Sequence, residues 1–433
     1  MEETGLLRLN YPSQIYLETT TRCNLTCEMC VKQSSSCGIA EGDFDSAMFS
    51  SIDSVLPHIN TLILSGIGEP LLHPQLEELI SYASERMKTG ADIGFQTNGM
   101  LLTREKAESL INAGLNLICV SMDASTSDTF RDLRAGGELS DAENAISILK
   151  EAGILLKRKV RIGIEFVITK SNLRHLVPAL KIAAQKGVDF AIVSHLIPYD
   201  ERLVGGAVYD RNIDKAVEFF ERELYEADRE GIDIAKYFDI RWKFIHTPEE
   251  ERIIKAVEKM TAMAQSEGFH LNLRSLMDRD IKLIHDVGTV FKEAEAFAAA
   301  AGIELSLPAS TPRGDKRCDF IESGSLFISW NGDVHPCHFL WHKFQCYISG
   351  WKKFVTPVSF GNLKEQSVSD IWNSDDYKKF RESVAKYDYP VCSNCSLAPC
   401  DYIYSETFEQ DCYTNTIPCC DCQWCLGLFQ CLK

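Results

Sequence analysis

Short apolar runs alternate with amphipathic stretches through the first half of the chain. The apolar runs predict strands at 14–19, 61–65, 92–97, 115–122, 161–168 and 190–195. Apolar positions three and four residues apart predict helices between them, for example at 75–87, 103–113, 142–152 and 172–186. Strands that alternate with helices indicate βαβ units and a parallel sheet. Six such units predict an α/β fold, a partial TIM-like (β/α)6 barrel with its chemistry at the carboxyl ends of the strands.

The hydrophobic pattern changes twice further along the chain. Long helical runs such as 214–230 and 248–267 dominate residues 209–310, so we interpret this segment as a helical insert that either covers the barrel mouth or serves as a scaffold. Beyond residue 310, Gly, Asn, Pro, Trp and Cys become frequent and long periodic segments vanish. Because such a segment has few apolar positions for a core, metal ligation is the natural substitute. We therefore expect a barrel at 1–208, the insert at 209–310 and a small loop-rich metal-binding domain at 311–433.

Charge and cysteine content narrow the class of protein. The 433-residue chain has a net charge of −17, which repels a phosphate backbone, so we expect no nucleic-acid partner. No targeting segment is visible, and every apolar run is shorter than the roughly 20 residues that span a bilayer. We therefore expect a cytoplasmic protein without membrane contact. Its 17 cysteines are clustered, and in a reducing compartment clustered cysteines are more often metal ligands than disulfide partners.

Three cysteines follow the first predicted strand directly. Cys23, Cys27 and Cys30 have the spacing CxxxCxxC, and we call them the N-terminal triad. Three thiolates on one short loop hold three corners of a cubane cluster and leave its fourth iron open, as a catalytic cluster requires. A zinc site is the alternative, because Cys37 is available as a fourth ligand.

The triad, in this position, resembles the radical S-adenosylmethionine (SAM) superfamily. The resemblance implies a [4Fe–4S] cluster whose open iron is chelated by the amino and carboxylate groups of SAM. It further implies that an electron, supplied by a reductant such as ferredoxin or flavodoxin, cleaves SAM to a 5′-deoxyadenosyl radical that abstracts hydrogen from a substrate. The residue before the last cysteine is usually aromatic in this family. Here it is Met29, whose thioether can still pack against adenine.

Segments at the ends of the later strands resemble the SAM-binding motifs of the same family. Residues 65–70 resemble the GGEP motif with Ile67 in place of one glycine, although an ordinary βα turn is the alternative. Residues 96–99 and 121–123 resemble the TNG and SxD motifs. The SAM contacts that the resemblance implies are Met29, Gly66, Gly68, Glu69, Pro70, Thr97, Asn98, Ser121, Asp123, Arg134 and His195.

Three of these candidates have open alternatives. Asp123 either reaches SAM or caps the next helix. The guanidinium of Arg134 suits the SAM carboxylate, but a solvated surface arginine is also consistent with the sequence. His195, at the end of the sixth strand, is a proton donor, a supporting contact or a structural residue.

The C-terminal region carries twelve of the cysteines, from Cys318 onward. Cys318, Gly332 and Cys337 have the spacing Cys-x13-Gly-x4-Cys, which resembles the opening of the SPASM domain, an extension that binds auxiliary [4Fe–4S] clusters in some radical SAM enzymes. Residues 327–337 predict a β-hairpin with Asn331-Gly332 at its turn. This hairpin would return Cys337 towards Cys318.

The number of auxiliary clusters stays open at this point. The spacing after Cys395 departs from the family pattern, and Cys431 competes for a place, whereas Cys420 and Cys425 look surplus. One cluster with a free thiol pair and zinc knuckles are the alternatives. Two clusters, our preferred count, would take Cys318, Cys337, Cys392, Cys395, Cys400, Cys412, Cys419 and Cys422.

The substrate is the least defined element. The chain end resembles a subgroup described as metalloenzyme maturases, which implies hydrogen abstraction from a protein or peptide. Radical modification of a small molecule in cofactor biosynthesis is the alternative. A non-enzymatic iron–sulfur carrier is a third hypothesis, but a carrier has no need of the SAM-binding segment at 65–70.

Overall fold

One open sheet of nine strands organises the fold, in a computed structural model that describes residues 9–35, 37–348, 351–387, 419 and 422–432. Its strands are β1 (Gln14–Leu17), β2 (Thr61–Ile63), β3 (Asp92–Thr97), β4 (Leu117–Ser121), β5 (Arg161–Ile168), β6 (Phe190–His195), β7 (Glu304–Ser306), β8 (Ser325–Ile328) and β9 (Val334–His335). The spatial order is β7-β6-β5-β4-β3-β2-β1-β8-β9, and β1 to β6 pair in parallel. The predicted α/β partial barrel is therefore confirmed.

Helices cover the outer face of this sheet. Those of the barrel are α1 (Leu76–Arg86), α2 (Arg104–Ala113), α3 (Ser127–Leu133), α4 (Leu139–Leu156) and α5 (Leu176–Gln185). Apolar residues from α1, α2, α4 and α5 join every second residue of the strands in one buried core. The opposite residues of the strands form a second core inside the barrel, which includes Tyr16, Ile63, Cys119, Ile192 and Phe327. The strands β1, β4 and β6 are thus buried on both faces, as parallel strands between helices and a barrel interior must be.

The segment 209–310 is mostly helical and has a small core of its own. Its helices are α6 (Asp214–Arg229), α7 (Tyr237–Ile240), α8 (Pro248–Ser266), α9 (Leu273–Met277) and α10 (Ile281–Ala301). Thr247 and Glu250 form a reciprocal capping box that fixes the start of α8. Residues of α6 and α8 pack together in a separate cluster, whereas α10 packs beside α5 and leads into β7, which pairs with β6. The end of this segment therefore continues the layers of the barrel.

The C-terminal region starts by extending the barrel sheet at its other edge. The strand β8 pairs in parallel with β1, and β9 turns back antiparallel to β8, which confirms the predicted hairpin. The remaining elements are α11 (Asp319–Glu322), the two-stranded sheet of β10 (Phe344–Ile348) and β11 (Trp351–Val355), α12 (Val368–Asn373) and α13 (Asp375–Val384). Among the helices described, none is long and apolar enough to cross a membrane.

Candidate active site

The N-terminal triad occupies the loop that follows β1. The N–H of Cys30 donates to the carbonyl of Cys27 at 3.0 Å, so these two cysteines share a tight turn. The side-chain amide of Asn98, beyond the end of β3, lies 3.9 Å from Cys23 Sγ and donates to Asn24 at 2.9 Å. Burial raises the pKa of all three thiols, to about 11 for Cys30. Such thiols ionise readily only where positive charge reaches them, as bound iron supplies, so the donor set fits a metal cluster.

Two glycines bring the loop at 66–70 against the first loop of the chain. A Cβ on Gly66 would lie 2.2 Å from Glu18 Cγ, and one on Gly68 would lie 2.4 Å from the carbonyl oxygen of Thr20. Neither spacing is sterically possible, so glycine alone fits at both positions. The sequence analysis expected these glycines to admit a ligand. In the structure the close contacts that they allow are with the protein's own chain, which holds the loop at 66–70 beside the triad.

Glu69 is a buried acceptor for neighbouring segments. Its carboxylate accepts from the Thr97 hydroxyl at 2.7 Å, from the Asn98 N–H at 2.8 Å and from the Leu71 N–H at 3.2 Å. The last of these lies in a short 3-10 helix that Pro70 begins. A carboxylate has about four acceptor positions, so Glu69 fixes the end of β3 and keeps capacity for one further donor.

Asp123 and Arg134 form a buried ion pair behind the triad. Asp123 is fully buried, pairs with the Arg134 guanidinium and accepts from the Val167 N–H at 2.6 Å. Arg134 is 9% exposed, so the solvated-surface alternative is wrong. Asp123 does not cap α3, whose N-cap position is held by Thr126. Ser121 ends β4 nearby and is buried.

His195 is held as a neutral imidazole. Its Nε2 lies 2.9 Å from the carbonyl oxygen of Ala309, and because a carbonyl accepts, Nε2 carries the proton. Its Nδ1 is buried and has no hydrogen-bond partner in the described part of the chain. Burial lowers the pKa of His195 to about 4. The geometry therefore suits a hydrogen-bond acceptor at Nδ1 better than the proton donor considered from the sequence.

A cavity of about 220 Å³ lies over the carboxyl ends of the strands. Met29 and Gly66 line it beside the triad, and His195 lines it at the end of β6. These are three of the eleven residues that the sequence analysis grouped as SAM contacts, and the other eight do not line the cavity.

Two polar residues of this cavity were missed from the sequence. Gln96 Nε2 donates to Glu165 Oε2 at 2.6 Å, and both residues line the cavity. Burial, followed by the negative charge of Asp123, raises the pKa of Glu165 to about 7. Glu165 could have been identified from the sequence, because it interrupts an apolar strand at a position that faces the barrel interior.

The segment 422–432 lines part of the cavity. The Tyr16 hydroxyl donates to the carbonyl of Leu432 at 2.8 Å, and the Ser194 hydroxyl donates to that of Gln430 at 3.2 Å. Both donors lie on barrel strands, so this segment is docked onto the barrel interior. The cavity is thus built jointly by the barrel and by the C-terminal region.

Comparisons with known proteins agree with this geometry. The radical SAM superfamily model matches residues 17–164, and the model of the iron-sulfur cluster-binding domain called SPASM matches residues 318–396. The chain is 30% identical over 425 residues to the tungsten-containing aldehyde ferredoxin oxidoreductase cofactor-modifying protein of Pyrococcus furiosus, covering 96% of each chain. The chain belongs to the radical SAM superfamily. It is also 26% identical over 418 residues to the AdoMet-dependent heme synthase of Methanosarcina barkeri, covering 92% of this chain and 96% of that protein.

The solved structures support the fold of this radical SAM enzyme. The structure of Streptococcus suis SuiB bound to S-adenosylmethionine aligns with a TM-score of 0.52 and 12% identity, over 86% of this chain and 68% of that one. The cofactors follow from the two family matches: SAM and [4Fe–4S] clusters.

Five cysteines of the radical SAM enzyme line one pocket in the C-terminal region. Cys318 and Cys337 come from either side of the β8–β9 hairpin, as the hairpin predicted, and they are joined by Cys419, Cys422 and Cys425. Cys425 hydrogen-bonds to Cys318 and Cys422, although the sequence analysis considered Cys425 surplus. Within the described ranges, no three His, Cys, Asp or Glu side chains lie close enough together to hold a single metal ion. Thiols spread around a pocket suit the separate irons of a cluster.

Cys431 lies apart from that pocket. It lines the cavity of the barrel, where the Trp424 indole N–H donates to its sulfur at 3.2 Å and His338 Nδ1 lies 3.7 Å away. The sequence analysis ranked Cys431 above Cys425. Cys422 and Cys425 have a CxxC spacing, but so do Cys419 and Cys422, so this signal alone does not identify the ligand. The other expected ligands, Cys392, Cys395, Cys400 and Cys412, lie outside the described residues.

Proposed function

We propose that this radical SAM enzyme modifies a small-molecule cofactor, or the precursor of one, during the maturation of a metalloenzyme. When bound, the SAM-binding cluster supplies the electron that cleaves SAM to the radical which abstracts hydrogen. Ferredoxin or flavodoxin is the proposed source of that electron. The observation that carries the proposal is the end-to-end similarity to a cofactor-modifying protein.

A second full-length relative supports the same substrate class. The heme synthase of Methanosarcina barkeri is named for a cofactor, and it too matches nearly the whole chain. The cavity adds physical support, because the barrel and the segment 422–432 together surround it. A protein or peptide substrate, expected first from the sequence, remains the competing hypothesis.

The residues of the described site have separate proposed roles. The N-terminal triad holds the SAM-binding cluster, and the loop at 66–70 with Thr97, Asn98 and Ser121 faces SAM. Arg134 is the proposed partner of the SAM carboxylate, and Asp123 positions it. An auxiliary [4Fe–4S] cluster takes four thiolates, and its proposed ligands come from the pocket lined by Cys318, Cys337, Cys419, Cys422 and Cys425. Anaerobically reconstituted enzyme should therefore bind about eight to twelve irons.

Deuterium transfer tests the substrate class. The reduced holoenzyme would be incubated with SAM and with fractions of an extract from source cells grown in deuterated medium. A low-molecular-mass fraction should accelerate 5′-deoxyadenosine release and place deuterium in it. If the protein fraction alone does so, the small-molecule proposal is contradicted and the protein or peptide hypothesis is supported.

A further inference from the structure

Glu18 is a fully buried carboxylate that lies directly beneath the loop at 66–70. It follows the end of β1, and its Oε1 accepts from the Ile67 N–H at 3.0 Å. Its Cγ is packed so closely on Gly66 that no Cβ fits there. The backbone of this loop therefore takes its position from Glu18.

The same carboxylate is also held by the C-terminal region. Its Oε2 accepts from the Trp330 N–H, in the turn between β8 and β9, at 3.3 Å. The His342 ring lies 2.9 Å from Oε2 and 3.2 Å from Oε1 through Nε2. Because a carboxylate accepts, Nε2 is the protonated nitrogen. Trp330 and His342 both belong to the range that the iron-sulfur domain model matches.

One side chain thus joins four segments of the chain. A buried carboxylate that loses a hydrogen-bond donor keeps the cost of its burial, so it must shift towards its remaining donors or towards water. Any shift of Glu18 displaces Ile67 and Gly66, because both are in direct contact with it. The His342 side chain is 11% exposed, so water does not readily replace it.

We propose that Glu18 and His342 are positioning residues through which the C-terminal region sets the shape of the loop at 66–70, and with it the affinity for SAM. The coupling is reciprocal, since SAM that binds the shaped loop must also stabilise the contact with His342. The inference rests on the proposed assignment of residues 66–70 to SAM. It goes beyond that assignment by giving the C-terminal region a role in binding SAM.

The test compares two replacements of His342 in the reconstituted holoenzyme. His342→Leu removes the donor, whereas His342→Gln keeps an N–H at a similar reach. SAM affinity would be measured by equilibrium dialysis, and the SAM-induced change in the cluster electron paramagnetic resonance signal would be recorded. We expect His342→Leu to weaken SAM binding at least tenfold, with unchanged iron content. His342→Gln should stay within about threefold of wild type, because hydrogen bonds to charged groups carry most of the effect.

Controls separate the possible failures. His285→Leu, on the exposed side of α10, should leave SAM affinity unchanged. Gly68→Ala should weaken SAM binding if the loop at 66–70 contacts SAM. Unchanged SAM binding in this variant would show that the assignment of the loop to SAM is wrong. Weakened binding by Gly68→Ala with unaltered binding by His342→Leu would overturn the coupling alone, as would equal losses in the Leu and Gln variants.

A substitution of Glu18 tests the proposal if the His342→Leu protein cannot retain its clusters. Glu18→Gln has the same shape and can keep an oxygen towards Ile67, but its amide N–H₂ opposes the donors of Trp330 and His342. With unchanged iron content, at least tenfold weaker SAM binding supports the proposal. An affinity within twofold of wild type refutes it.

Discussion

Glu165 allows a prediction whose size follows from the structure. Burial raises its pKa to about 7 from the ordinary value of 4.5, the charge of Asp123 adds to the rise, and Arg134 opposes it. The folded protein therefore favours the protonated carboxyl, whereas the unfolded chain ionises near pH 4.5. Replacement by Gln, a neutral side chain of the same shape, removes this difference.

The sign and the magnitude of the change in stability follow from proton linkage. Because the folded-state pKa exceeds the unfolded-state value, the wild type has no penalty below about pH 4.5, loses stability between 4.5 and 7, and carries the full penalty above 7. A difference of about 2.5 pKa units at about 1.4 kcal/mol each gives an upper value of about 3 kcal/mol. Glu165→Gln should therefore be the more stable protein at pH 8 and equal to wild type near pH 4.5.

Urea unfolding of the anaerobic holoenzyme measures this effect. With a denaturant slope of about 3 kcal/mol per molar, the midpoint at pH 8 should rise by up to about 1 M. The exposed Glu267→Gln on the insert is the matched control and should shift nothing at either pH. A Glu165→Gln midpoint equal to wild type at pH 8, or a gain that grows as the pH falls, would refute the reasoning.

Three further predictions concern the metal sites and the buried ion pair. Arg134→Met strands Asp123 as an unpaired buried charge and should cost about 3–5 kcal/mol of unfolding free energy, measured by urea midpoint; Arg134→Lys should recover part of it. Replacing all three cysteines of the N-terminal triad by Ala should abolish 5′-deoxyadenosine release while the auxiliary iron persists, and residual SAM cleavage would contradict the assignment. Cys425→Ala should lower the iron content by up to about four atoms, whereas Cys119→Ala, a buried core thiol, should not.

The alternation of apolar runs was sufficient to predict the six barrel strands. The observed β3, β5 and β6 have the predicted bounds. β1 and β2 end two residues early, where the chain turns into the loops that surround the cavity. β7 is three residues long, which is too short for a periodic signal, and its pairing with β6 depends on how α10 packs.

Side-chain partners at the site were harder to predict than the motifs. His342 and Glu18 are separated by 324 residues, and no local pattern relates them. Cys425 and Cys431 could not be ranked reliably from the sequence, because their places depend on the path of a segment without regular structure. That path is fixed by contacts such as the Tyr16 hydroxyl on Leu432, which form only in the assembled barrel.

The position of β1 between β2 and β8 has a consequence for how the protein is made. β1 finds its first partner within the next 50 residues or so, but Gln14 and Ser325, which meet across β1 and β8, are 311 residues apart. At ribosomal rates of about 5–20 residues per second, the outer edge of β1 stays unpaired for roughly 15 to 60 s. An apolar strand with a free edge pairs readily with other chains. Slower initiation, cooler growth or added chaperones should therefore raise the yield of soluble protein, independently of iron supply.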